Sequence, residues 1–292
     1  MTHIPGPGAG RLTIVVLAVV SAVLTYPWRS NFDRWALGIA VAVVLVSLIW
    51  WHGRYLTTIL WQRLRIISSR QAIEVSSDDV RWTGSDAVTT VLLRVDDRDT
   101  ELPLGVLTGY LDRFGLACDA VRVTTRRVGS STTTWIGLTF SGARNLAALR
   151  ARSAQIPLRQ TAENAARRLA GNLRERGWNT TLVHADDLPD LFADGARERW
   201  RSVSDARGFV TTYSVANPES ALTGVGASDS PEVWTVVEIA GSSPRPKLRA
   251  GAAIRTEDPP NSSTPLPGLT LISGRQATAL AALHPLSGVR LV

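Results

Sequence analysis

The stretch "TTTWIGLTFSGARNLAALRARSAQIPLRQTAENAARRLAGNLRERGW", Thr132 to Trp178, changes its period part-way along. Its first nine residues are, apart from Gly137, threonine, aromatic and branched side chains, which suit a strand. From Asn145 onward the apolar residues recur at three- and four-residue steps, predicting a short helix and then a long one. In the long helix Leu158, Ala162, Ala165, Ala166, Leu169 and Leu173 share one stripe, while Arg159, Arg167, Arg168 and Arg174 face elsewhere. Glu163 can pair with Arg167 one turn on, and Gly177 supplies a C-terminal stop. The alanines let this helix lie close against a sheet, and the stretch therefore reads as the helical layer of an α/β domain.

The flanks supply the strands. "VRWTGSDAVTTVLLRV" (Val80 to Val95) reads as a hairpin turning at Gly84-Ser85, and "PLGVLTGYLDRFG" as a short helix closed by Gly115. "LACDAVRVTTRRV" forms a second hairpin with "TTTWIGLTF" about Gly129-Ser130-Ser131. Further strands are expected at "WNTTLV", "GFVTTYSV", "VWTVVEIA" and "KLRAGAAIRT", and a last helix at "GRQATALAAL". Loops rich in Gly, Ser and Pro, notably "GVGASDSP" and "EDPPNSSTPLPG", separate them. The expected domain spans 71–292 and has a mixed sheet with packed helices.

Residues 1–70 have a different character. Between Arg34 and Arg54 lie nineteen uncharged residues, and between Arg11 and Arg29 seventeen. As helices, 35–53 and 12–28 have lengths in the range that spans a bilayer. With the short polar connection "RSNFDR" they read as a transmembrane hairpin. Trp28 and Trp35 fall at one interface and Trp50 and Trp51 at the other, as anchoring aromatics do. Arg54, Arg63, Arg65 and Arg70 follow the second helix and Arg11 precedes the first, against Arg29 and Arg34 in the loop. That bias expects an inner-membrane, multi-pass protein with both termini and the main domain cytoplasmic. "RYLTTILWQRLRII" then continues as an Arg-rich juxtamembrane stem, suited to anionic lipid or a partner helix.

The chain's net charge of +7 belongs almost entirely to this membrane flank. Residues after Arg70 carry 25 basic against 24 acidic side chains, so the high pI argues for no nucleic-acid partner. Cys118 is the only cysteine and allows no intramolecular disulfide, as suits a reducing compartment.

Catalytic signatures are few. The sequence has no G-x-x-x-x-G-K-[ST] phosphate loop and no G-x-S-x-G elbow, so no direct nucleotide binding and no cofactor are expected. His184 with Asp186 and Asp187 could be drawn as a metal cluster, but one histidine beside two aspartates is more simply a helix cap. Asp97-x-Asp99, after the strand ending at Val95, has the form that holds a divalent cation on a sugar diphosphate. A charged corner between strand and loop explains that pair equally without function. The alternative to a non-enzyme is thus a membrane-anchored, metal-dependent glycosyltransferase-like enzyme using Asp97 and Asp99.

The stretch Thr132 to Trp178 and "VRWTG", placed behind an N-terminal membrane hairpin, together resemble the EccE family of type VII (ESX) secretion systems. The resemblance runs over nearly the whole chain and is most specific from Thr134 to Trp178. In length the chain is similar to the shorter members, such as those of the ESX system tied to siderophore-iron acquisition. The resemblance implies a non-catalytic subunit of the inner-membrane secretion complex, alongside EccB and EccD subunits and the EccC ATPase. It also implies a cytoplasmic α/β domain of glycosyltransferase-like shape, and it assigns no catalytic residue.

Overall fold

In the computed structural model the described residues are 86–96, 102–151, 156–193, 195–216, 229–260 and 266–291. To these are added the short strands at 50–51, 54–55 and 81–83 and the isolated positions 20, 218 and 225. The chain divides into two compact units, Met1–Arg70 and Gln71–Val292.

In the first unit, β1 (Trp50–Trp51) pairs antiparallel with β2 (Arg54–Tyr55), Trp50 opposite Tyr55 and Trp51 opposite Arg54. These residues lie at the end of the expected helix 35–53 and the start of the expected stem, and Trp and Tyr favour such extended pairing. Apart from Val20, the remainder of both expected membrane helices lies outside the described residues, and among the described residues no helix is long and apolar enough to cross a membrane.

The second unit is built on an 11-stranded sheet. Its strands are β3 (Arg81–Thr83), β4 (Asp86–Val95), β7 (Ala120–Val128), β8 (Ser131–Ser141), β9 (Thr180–Val183), β10 (Arg197–Glu198), β11 (Val203–Asp205), β12 (Gly208–Val215), β13 (Glu232–Ser242), β14 (Arg245–Thr256) and β15 (Leu269–Leu271). The order is β10-β11-β12-β14-β13-β7-β8-β4-β3, with β9 also on β4 and β15 also on β12. Every described pairing is antiparallel. The expectation of a mixed sheet is therefore corrected. The pairs β7–β8, β11–β12 and β13–β14 are joined by tight turns, at Gly129-Ser130 for β7–β8, and the helices cover the sheet instead of crossing between parallel strands.

One face of the sheet carries Val91, Leu93, Val121, Val123, Ile136, Leu138, Val237 and Ile239. Against it lie α1 (Leu104–Gly109), α2 (Leu146–Arg150) and α3 (Leu158–Glu175). The expected α3 stripe is buried as drawn, and α3 packs on β4 and β8. Its end is closed by Gly177 at φ 84°, with Gly177 N–H donating to Arg174 O and Trp178 N–H to Leu173 O. The reading of Pro103 to Gly115 as one helix is corrected. α1 stops at Gly109, and Phe114-Gly115 turns the small hairpin β5 (Asp112–Arg113) to β6 (Leu116–Ala117). Gly115 serves a hairpin turn there, both turn residues having positive φ, as such turns demand.

The opposite face is covered by the loop around Leu191, by α4 (Gln276–Ala281) and by the C-terminal residues up to Leu291. A Cβ on Gly251 of β14 would stand 2.9 Å from Leu283 Cδ2, and one on Gly137 of β8 would stand 3.3 Å from Pro285 O. These bare positions let the C-terminal segment lie directly on the strands. Buried Gln276 completes the ladder where β12 lacks a strand neighbour: its Oε1 accepts from Thr212 N–H at 2.8 Å and its Nε2 donates to Thr212 O at 3.3 Å.

Candidate functional site

Strand alternation aims Arg122 and Arg126 of β7, Glu232, Trp234 and Glu238 of β13, and Arg255 of β14 at the face beneath the C-terminal segment. They form two buried ionic centres. In the first, Arg122 Nη2 lies 2.6 Å from Glu238 Oε2 and Nε donates to the same oxygen at 3.1 Å. The remaining guanidinium donors reach the carbonyls of Ala282, Ser287 and Val289. Arg290 Nη1 donates to Glu238 Oε1 at 3.1 Å and its Nη2 to Asp119 O at 2.8 Å. Arg249 Nη1 holds Leu291 O at 2.9 Å. Burial pulls the Arg122 guanidinium below its ordinary value, and Glu238 opposes that shift. The centre is thus a clamp that fastens the backbone of the C-terminal segment to the sheet.

In the second centre, Glu232 accepts from Arg126 Nε at 2.7 Å, Trp234 Nε1 at 3.0 Å and Arg255 Nε at 2.7 Å. Arg255 Nη1 also donates to Asp205 Oδ1 at 2.8 Å and its Nη2 to Leu191 O at 3.2 Å. Asp205 accepts from the backbone N–H of Ala193 and of Arg207, both at 2.9 Å. For both carboxylates burial raises the pKa, but the hydrogen bonds, from Arg255 and Arg126 for Glu232 and from Ala193 and Arg255 for Asp205, win and leave the pKa below its ordinary value. Trp234 stacks on Trp135 at 6.0 Å, with Arg126 over its ring at 5.3 Å.

These carboxylates are saturated by arginine and backbone donors, and depressed pKa values hold Glu232 and Asp205 ionised. Neither is suited to exchange protons near neutrality. Cys118 is buried, its thiol bonded to the carbonyls of Ala120 and Thr139, and burial pushes its pKa up to about 12. Among the described residues no group of three His, Cys, Asp or Glu side chains could hold a metal ion. The cleft under the C-terminal segment is lined by uncharged residues including Tyr213, Gly251, Ile272 and Leu283, and it has room for about one water molecule.

The residues singled out in the sequence are dispersed. Asp97 and Asp99 lie outside the described residues, as do Trp28, Trp35, Arg63 and Arg65; Trp50, Trp51 and Arg54 form the small hairpin of the first unit. Asp187 caps the 3-10 turn Ala185–Asp187, its Oδ2 accepting from His184 N–H at 3.4 Å. The two ionic centres were not foreseen. The signal available was acidic residues at alternate positions in an otherwise apolar strand, Glu232 and Glu238, facing Arg122 and Arg126 on the paired strand.

The family model described as "Putative type VII ESX secretion system translocon, EccE" matches residues 128–215, which include β8, α2, α3 and β12. ESX-3 secretion system protein EccE3 of Mycolicibacterium smegmatis is 43% identical over 285 residues, covering 96% of this chain and 89% of the relative. The chain belongs to the EccE family. EccE3 of Mycobacterium tuberculosis is 42% identical over 303 residues, covering the whole of this chain and 89% of that protein. The EccE match falls on the segment that supplies α2, α3 and the strand β8 beneath α3.

Proposed function

We propose that the chain is a non-catalytic structural subunit of an inner-membrane type VII (ESX) secretion complex. The observation that carries this reading is the state of its buried carboxylates. Glu232, Glu238 and Asp205 are each held by arginine or backbone donors, an arrangement that fixes a scaffold and offers no acid, base or metal ligand. The N-terminal hairpin, with Trp28, Trp35, Trp50 and Trp51 at the interfaces, anchors the chain in the bilayer, and the stem with Arg54, Arg63 and Arg65 sets the height of the cytoplasmic domain. That domain braces neighbouring subunits of the EccB and EccD families and the EccC ATPase, which supplies the energy. Mild-detergent purification of the tagged protein from its native membrane, with mass spectrometry of what accompanies it, tests the reading. Recovery of those three subunits is expected; a protein reproducibly free of all three contradicts it.

A further inference from the structure

The second unit is nearly neutral as a whole, yet its charge is unevenly placed. Residues 143–178, which supply α2 and α3, carry eight arginines against two glutamates, a net +6. Few of these cations are neutralised. Arg159 and Arg167 share Glu163, and Arg144 pairs with Asp119. Arg174 and Arg176 donate to neutral oxygens, Thr180 O and Asn172 Oδ1. Far along the fold, the loop with Asp186, Asp187 and Asp190 runs on the covering layer of the opposite sheet face.

At the edge of the basic layer stands Phe114. It occupies the β5–β6 turn at φ 57°, a conformation that costs a bulky side chain energy, and the residue is 43% exposed. Arg168 of α3 lies over the ring at 4.4 Å and Arg113 at 5.1 Å, with Tyr110 edge-on at 6.2 Å. Neither guanidinium has a carboxylate within ion-pair distance among the described residues. An exposed ring held between two such cations, with Glu175 of α3 as the acidic side chain that acts with them on Tyr110, is a surface of net positive charge.

We infer that Arg113, Phe114 and Arg168 form a docking surface for anionic phospholipid headgroups. The occupant follows from the chemistry of the patch. A packed protein interface needs a contiguous apolar core within its buried area, and this surface offers one aromatic ring among dispersed cations. A plane of phosphates needs only distributed cations and a shallow aromatic wedge. The inference does not depend on membership in the secretion complex, because it concerns the domain's own surface.

Cys118 being the sole cysteine and buried, Phe114→Cys provides one accessible thiol for an environment-sensitive fluorophore. The labelled full chain is placed in nanodiscs of phosphatidylcholine and in nanodiscs of a one-to-two mixture of phosphatidylglycerol and phosphatidylcholine. A blue-shifted emission in the anionic discs alone, reversed by high salt, is expected. Removing two surface cations with Arg113→Gln and Arg168→Gln should lower the ratio of docked to free domain about 30-fold. Asp190→Cys, labelled on the opposite layer, should report no shift. Equal emission in the two kinds of disc, or a shift indifferent to salt and to the arginines, overturns the inference. A shift that appears only when co-purified subunits are present in neutral lipid also overturns it, in favour of a protein partner.

Discussion

The two faces of the sheet are held by different physics. On the helix side Leu93, Ile136 and Leu138 meet the Leu-Ala stripe of α3, and stability comes from apolar area removed from water. On the other side apolar contacts around Trp234 and Leu283 share the layer with Arg122, Glu238, Glu232 and Arg255, all nearly inaccessible to solvent. A buried ion pair adds little net stability, because desolvation offsets attraction, but breaking one partner away leaves an uncompensated charge. The helix face is therefore robust in composition, whereas the opposite face is exacting about which groups meet.

The largest effect expected is on the exacting face. Glu238→Ala strands Arg122 under the C-terminal segment and should cost about 3–5 kcal/mol, read as a lowered urea midpoint together with early proteolysis beyond Leu283. The comparison sharpens with Arg122→Met and Glu238→Leu combined, which removes the stranded charge but leaves the carbonyls of Ala282, Ser287 and Val289 without their donor, so only part of that loss should return. On the helix face Leu169→Ala should cost about 2–5 kcal/mol with no companion that restores it. A double variant no more stable than Glu238→Ala would show that the bonds from Arg122 to those carbonyls outweigh its pairing with Glu238.

How much of this was legible follows the same division. The helix face was readable because α3 repeats its apolar residues at the helical period and β4, β7 and β8 alternate; Leu158 to Leu173 fell where the spacing put them. The ionic face was not, since an arginine or glutamate in a strand reads as solvent-facing until the partner strand's register is known. Arg122 faces Glu238 only through the β7–β13 pairing, across more than a hundred residues. Strands as short as β10, β11 and β15 were missed for a related reason: two or three residues carry no period, and Gln276, read only as part of a helix, was not seen as a ladder partner. The antiparallel sense of the sheet likewise depended on connections that a strand and helix count does not fix.

Closer packing gives a smaller effect. Gly251→Ala places a methyl group 2.9 Å from Leu283 Cδ2 and should cost about 1–3 kcal/mol, again with loosening of the C-terminal segment. Acid separates the faces further. The pKa values of Glu232 and Asp205 are depressed in the fold, so their contribution is fully present above the ordinary carboxylate range and is lost as pH falls through the lowered values. Urea midpoints should hold steady from neutrality to about pH 5 and decline below about pH 4. Asp205→Asn should flatten that decline, whereas Leu169→Ala should shift the whole curve down without changing its shape. The smallest effect belongs to the surface: Arg167→Ala removes a pair with Glu163 at 3.3 Å and should change stability by less than about 0.5 kcal/mol.

The most direct test of a structural, non-catalytic role compares two variants in a strain lacking the native copy, scoring both assembly of the secretion complex and export. Asp97→Asn with Asp99→Asn should assemble and export as the unaltered protein does, while Glu238→Ala should lose both together. A complex that assembles fully with the two asparagines yet exports nothing would contradict the account and make those aspartates catalytic.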